Sequence, residues 1–132
     1  MKHHYGCPVQ ATANAIAGKW KVQLVWHLAY GAQRFSQLRR LLPGISEKVL
    51  TGQLRELEAE HIVRREIAET APPQVTYFLS SAGQELLPAL NLLCGWGTRH
   101  LGVPARLPPL PSAMVNVQSP APLSLGSSKM QD

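Results

Sequence analysis

Apolar residues return along this chain first at helical spacing, then in alternation, then at helical spacing again. Val9, Ala13 and Ile16 recur at the spacing of one helix face and predict a short first helix that ends at Gly18. Trp20, Leu24, Val25 and Leu28 predict a second, strongly buried helix from Trp20 to Tyr30, stopped by Gly31. Phe35, Leu38, Leu41 and Leu42 predict a third, from Phe35 to Leu42. Pro43-Gly44 closes it, because proline cannot continue a helix and disfavours helical geometry just before it. A fourth helix runs from Ser46 to about His61 with Leu50, Leu54 and Leu57 as its apolar stripe. Ser46 is placed to cap it, its hydroxyl oxygen accepting an otherwise unpaired backbone N–H. Ile45 and Leu50 occupy the two positions of a hydrophobic staple around that cap.

The period then changes. Ile62 to Ile67 and Val75 to Leu79 read as two short strands around the polar tip Ala68-Glu69-Thr70-Ala71-Pro72-Pro73, whose prolines blunt it against further pairing. Ser81-Ala82-Gly83-Gln84 has the pattern of a capping box and opens a last helix that reaches about Leu101. Pro88 lies inside that helix and predicts a kink near Gln84. The fold class is therefore mainly α with a small two-stranded β-hairpin. Two helices joined by a short Pro-Gly turn and followed by a hairpin make a winged helix-turn-helix, here with extra N- and C-terminal helices for dimerisation.

The last helix changes the picture. Leu86, Leu87, Leu90, Leu92, Leu93, Trp96 and Leu101 leave it almost no polar face, and a helix apolar all round has to be buried. A domain of a hundred residues covers one side of it, so the other side is expected to meet a second subunit. Val9, Ile16, Leu86, Leu90, Leu93 and Trp96 are the expected contacts of that homodimer.

Composition divides the chain after Leu101. Residues 102–132 hold six of the 11 prolines and only three charged side chains, Arg106, Lys129 and Asp132. Such a segment has little apolar surface to offset its ordering entropy, so it reads as a disordered Pro/Ser-rich tail after a domain over 1–101. Its Pro108-Pro109-Leu110-Pro111 run favours polyproline II, a ligand type for a partner's aromatic groove. The chain carries 13 Lys and Arg against 8 Asp and Glu, a formal +5, and the tail contributes only one unit of it. A basic surplus points to a polyanion without specifying one.

Candidate chemistry is sparse. Cys7 and Cys94 lie in no metal-ligand spacing, and the adjacent His3 and His4 have no further ligands near them, so no metal and no cofactor are expected. No Ser/His/Asp or Cys/His arrangement, paired-carboxylate motif or phosphate loop appears, which argues against an enzyme. No run approaches the roughly 18 apolar residues of a membrane span, and the N-terminus lacks an apolar signal core, so a cytoplasmic protein with reduced thiols is expected.

The fourth helix carries the strongest candidate. At 100° per residue, Lys48, Thr51, Gly52 and Arg55 gather opposite the leucine stripe with no acidic residue among them. Lys and Arg donate to guanine O6 and N7, Thr reaches base edges or a thymine methyl, and glycine lets the backbone approach closely. Ser46 and the helix N-terminus suit a phosphate. Arg34, Arg39 and Arg40 flank the preceding helix, which crosses the DNA backbone in such motifs, and Arg64 and Arg65 stand at the base of the wing. An ordinary solvated helix face fits the same four residues. A second class of function also remains, a winged-helix protein–protein interaction module using the apolar last helix and the Pro-rich tail.

Several stretches in fixed order share a known pattern: Gly6-Cys7-Pro8-Val9, Gly18-Lys19-Trp20-Lys21, Arg34-Phe35-Ser36-Gln37-Leu38-Arg39 and Pro43-Gly44-Ile45-Ser46. Leu50-Thr51, Leu54-Arg55-Glu56-Leu57-Glu58, Pro72-Pro73-Gln74-Val75-Thr76-Tyr77 and Gly83 with Leu86-Leu87-Pro88 continue it. Together, over about residues 6–98, they resemble the HxlR-type family of bacterial winged-helix transcriptional regulators. The resemblance implies a homodimer on pseudo-palindromic operator DNA, with the Ser46 helix in the major groove and the Pro72-Pro73-Gln74 wing near the minor groove. It also implies a candidate oxidant or electrophile sensor in Cys7, since some members carry one in a Cys-Pro pair. Cys94, in the apolar last helix, reads as a packing residue. Three features depart from the pattern: Gln74 where the wing usually has a basic residue, His61 where the recognition helix commonly ends in glycine, and the long tail.

Overall fold

The computed structural model describes residues 6–115. Its elements run α1 (Pro8–Ala15), α2 (Lys21–Leu28), β1 (Gln33–Arg34), α3 (Phe35–Leu41), α4 (Glu47–Ala59), β2 (Val63–Ala68), β3 (Gln74–Leu79), α5 (Ser81–Glu85), α6 (Leu87–Leu101) and α7 (Ser112–Val115). The helix-turn-helix is α3 and α4, and the wing is the β2–β3 hairpin. Leu24, Val25 and Leu28 of α2 form the centre of the core, joined by Leu38, Leu50, Leu54, Leu57, Val63, Leu79, Leu87 and Leu90. Burying a leucine side chain contributes roughly 1.5–3 kcal/mol. An exposed ion pair contributes about 0–1 kcal/mol. The leucine stripe, not its surface charges, therefore holds α4 in place.

Both ends of α4 are fixed locally. The Val49 amide donates to the Ser46 hydroxyl oxygen over 3.1 Å, and Ile45 and Leu50 are both buried, as the cap and staple pattern predicts. At the other end His61 takes φ +61°, the left-handed position usually given to glycine. The His61 and Ile62 amides donate to the Glu58 and Leu57 carbonyls, each over 3.0 Å, which closes the helix without a glycine.

The sheet has three antiparallel strands in the order β1-β3-β2, one more than the sequence predicts. Two residues, Gln33 and Arg34, pair with Tyr77 and Thr76; a strand that short carries no alternation to read. In the hairpin the register runs from Val63 opposite Leu79 to Ala68 opposite Gln74. Val63 and Leu79 are buried and the rest of β2 is exposed, so the wing stands out from the core. Its tip is closed by the Thr70 hydroxyl, which donates to the Pro72 carbonyl over 2.7 Å.

The C-terminal half corrects three expectations. The cap after the hairpin is Ser80, not Ser81, with its hydroxyl oxygen accepting from the Gly83 amide over 3.0 Å. The expected kink falls at Leu86 rather than Gln84: α5 ends and α6 begins there with Leu86 still in helical geometry, which places Pro88 in the first turn of α6, where its missing N–H costs nothing. The boundary at Leu101 also moves. Gly102, at φ +68°, ends α6 and turns the chain back, and residues 103–115 return over α2 and α6. Leu110 is buried, and Leu107, Met114 and Val115 pack against the core. The Trp26 indole N–H donates to the Pro108 carbonyl over 2.7 Å, and the Tyr30 hydroxyl donates to the Pro109 carbonyl. Prolines bring no N–H to satisfy, so this stretch lies on an apolar surface at little polar cost. The run is thus docked on its own chain, with Leu110 buried, Trp26 and Tyr30 bonded to its carbonyls, and Pro108 and Pro109 exposed. Residues 116–132 of the expected tail, and His3 and His4, lie outside the described residues.

Three expected interface residues also move inward. Leu90 is buried in the chain's own core, and Ile16 and Leu86 pack against it, because α6 lies across α2 with that side inward. His27, in the last turn of α2, is buried as well, and desolvation pushes its imidazole below the ordinary value of 6.5.

Candidate nucleic-acid interface

With the leucines of α4 turned inward, the opposite side of that helix faces out. Lys48 and Arg55 are exposed, and Thr51 and Gly52 are partly exposed between them. A Cβ added at Gly52 would meet nothing within 4 Å, so this face is open rather than packed. Neither Lys48 nor Arg55 forms an ion pair among the described residues. Arg40 and Arg64 are likewise exposed and unpaired there.

The other predicted cations are tied to their surroundings. Arg39 on α3 contacts Glu47, the first residue of α4, over 2.9 Å. Both side chains are largely exposed, so this pair is worth little in stability and exchanges readily for a phosphate. Arg34, just before α3, donates from Nη2 to Gln74 Oε1 over 2.9 Å. The residue that departs from a basic wing is thus bonded to an arginine, and the start of β3 sits beside a positive charge supplied by α3's N-terminal end. Arg65 lies 3.8 Å from Glu58, the loosest of the ion pairs. Pro72 and Pro73 are exposed at the wing tip. Among the described residues the arrangement offers two free cations on α4, one on α3, one on β2 and three more, Arg34, Arg39 and Arg65, held in exchangeable surface contacts.

One positioning residue escapes a reading of motifs alone. Lys21, the first residue of α2, is 7% exposed and its Nζ lies 2.9 Å from Glu56 Oε1 on α4. Gln53 Nε2 approaches the other Glu56 oxygen at 3.4 Å. The contact fixes α4 against α2 with a charge pair of which only the lysine is buried. Its signal was present in the spacing: Lys21 falls on the same helix stripe as Leu24, Val25 and Leu28, where a charge requires a partner.

Cys7 is exposed at the N-terminal end of α1, immediately before Pro8. Cys94 is half-buried on α6 and packs against the core. Val9 is exposed, as are Leu93 and Trp96 on α6; Leu92 and Leu101, not among the expected contacts, extend the same apolar surface.

Comparison with known proteins agrees with this geometry. The model of a family described as HxlR-like helix-turn-helix matches residues 15–104. An uncharacterised HTH-type transcriptional regulator of Bacillus subtilis (strain 168), YtcD, is 45% identical over 100 residues, covering 76% of this chain and 79% of the relative. A crystal structure described as a putative HTH-type transcriptional regulator ytcD has a TM-score of 0.69 at 43% identity, with 74% of this chain and 99% of that one covered. A structure described as the redox regulator HypR in its oxidised form has a TM-score of 0.66 at 44% identity, covering 71% and 97%. Residues 105–115, most of the stretch that returns over α2 and α6, lie beyond the matched family region. The chain belongs to the HxlR-like helix-turn-helix family of transcriptional regulators.

Proposed function

We propose that the chain acts as a homodimer that binds a pseudo-palindromic operator through α4. The observation that carries this reading is the open outer face of α4, with Lys48 and Arg55 unpaired and no carboxylate between them. Lys48, Thr51, Gly52 and Arg55 read base edges in the major groove; Ser46, Arg34, Arg39, Arg40, Arg64 and Arg65 hold phosphates; the Pro72-Pro73-Gln74 tip approaches the minor groove. The dimer forms through the exposed side of α6, where Leu92 is 64%, Leu93 61%, Trp96 51% and Leu101 66% exposed, with Val9 beside it in role. A monomeric protein rarely leaves so many large apolar side chains of one helix in water. The protein works in the cytoplasm, a reading supported by regulator relatives and by the absence, among described residues, of any helix able to cross a membrane.

Selection of bound sequences from random duplexes tests this. The expected product is an inverted repeat whose half-sites are about 10 base pairs, or a multiple of that, from centre to centre. Absence of enrichment, or enrichment of single half-sites only, contradicts it.

Cys7 is the proposed oxidant sensor. Its exposure and the likeness to a redox regulator support the role. Hydrogen peroxide transfers one oxygen to the thiolate, leaving a sulfenic acid and hydroxide. Peroxide should then change operator affinity of the native protein, with Cys94 present in both, and leave Cys7→Ser unaffected. Equal change in both clears Cys7 of the role.

A further inference from the structure

We propose that the crevice between α6 and the strap of residues 103–115 is a binding site for an amphiphilic monoanion, a carboxylate on a medium-sized apolar body. The crevice borders the dimer face and shares Leu92 with it, but its lining comes from one chain; any effect on operator binding rests on the function proposed above.

The crevice has a volume of about 490 Å³. Small-molecule sites run from roughly 300 to 1,000 Å³, mostly apolar with few polar groups. Trp26, Leu92, Cys94, Leu107 and Pro109 supply apolar walls, and Arg99 supplies a cation. An adjoining crevice of about 360 Å³ shares Cys94, Thr98, Ala105 and Leu107 and adds a second guanidinium, Arg106. The strap furnishes one wall of both. It is held in place by the Trp26 and Tyr30 hydrogen bonds and by buried Leu110, so the wall is built rather than incidental.

Charge decides what the site takes. Among the described residues no acidic side chain lines either crevice. In the sequence no carboxylate side chain occurs between Glu85 and Asp132, so Arg99 and Arg106 have no neighbour along the chain to neutralise them. Arg99 forms no ion pair among the described residues. Its guanidinium instead lies over Gly95, where an added Cβ would come within 3.0 Å of Nη1. Glycine at position 95 thus leaves room for the arginine to fold along the helix toward the crevice. The Thr98 hydroxyl is already spent on the Cys94 carbonyl, 3.1 Å away, and does not compete for the ligand. A planar cation beside an apolar, tryptophan-lined crevice pairs with a carboxylate whose apolar body fills the space.

Calorimetric titration of the full chain with octanoate and with octan-1-ol tests the proposal. Octanoate should bind, and octan-1-ol about tenfold more weakly or worse, since it lacks the charge. Arg99→Gln should weaken octanoate by a similar factor and leave octan-1-ol unchanged. Gly95→Leu fills the crevice while improving helix propensity, and should abolish binding without lowering the melting temperature. Equal affinity for acid and alcohol, octanoate binding unchanged in either variant, or no heat at millimolar octanoate overturns the site. A DNA-binding failure leaves these titrations untouched, so the two readings fail separately.

Discussion

Gly83→Ala should cost the fold about 3 kcal/mol or more, although alanine is the better helix former. In the first turn of α5 a side chain gains up to about 1 kcal/mol of helix propensity when glycine becomes alanine. Against this, the added Cβ would overlap the carbonyl oxygen of Ile62. That oxygen is backbone, not the end of a flexible side chain, and it is held at the entry to β2. It accepts from the Ser80 amide over 3.0 Å, and the Ser80 hydroxyl donates to the neighbouring His61 carbonyl over 2.5 Å. The same hydroxyl oxygen caps α5, so relief of the overlap pulls apart the cap, the start of the wing and the approach of α5 together. For a domain of this size the melting temperature should fall by on the order of 10 °C. Thermal unfolding followed by circular dichroism checks it. A variant as stable as the native chain would show that α5 can retreat freely, and that the close approach is not a constraint of the fold.

The second large effect falls on binding and spares the fold. Lys48→Ala and Arg55→Ala each remove an exposed cation with no partner among the described residues, so stability should move by no more than about 0.5 kcal/mol. If each side chain reaches a base edge, each loss costs about 1–3 kcal/mol of operator affinity, roughly five- to 160-fold in Kd. Arg39→Ala separates the two kinds of contact. Its guanidinium already holds Glu47, so it serves a phosphate at most and should weaken binding evenly across sequences.

The parts of this fold that follow from local rules were legible in the sequence. The cap at Ser46, the staple of Ile45 and Leu50, and the leucine stripe of α4 each depend on residues within one or two turns of each other. They appear in the structure as predicted. What escaped depends on partners far along the chain. β1 exists only because β3 lies beside it. The strap looked like a disordered tail because prolines dominate its composition. Its order rests on Trp26 and Tyr30, more than 75 residues away, and on four apolar side chains that composition alone dilutes. The face of α6 was half legible: an apolar helix announced two buried sides, but only packing decides that Leu90 goes inward and Leu92 outward. For the candidate interface, the residue types on α4 were legible, whereas the Arg34–Gln74 and Lys21–Glu56 contacts required the third dimension.

The central claim is that the outer face of α4 reads DNA. The most direct measurement is the salt dependence of affinity for the selected duplex, with the native chain and the Lys48→Ala/Arg55→Ala double variant side by side. Native affinity should fall steeply as salt rises, through release of counterions. The double variant should bind at least about thirtyfold more weakly at low salt while unfolding at the native temperature. Equal affinity of the two proteins across the salt range contradicts the account, since α4 would then present its open face to something other than DNA.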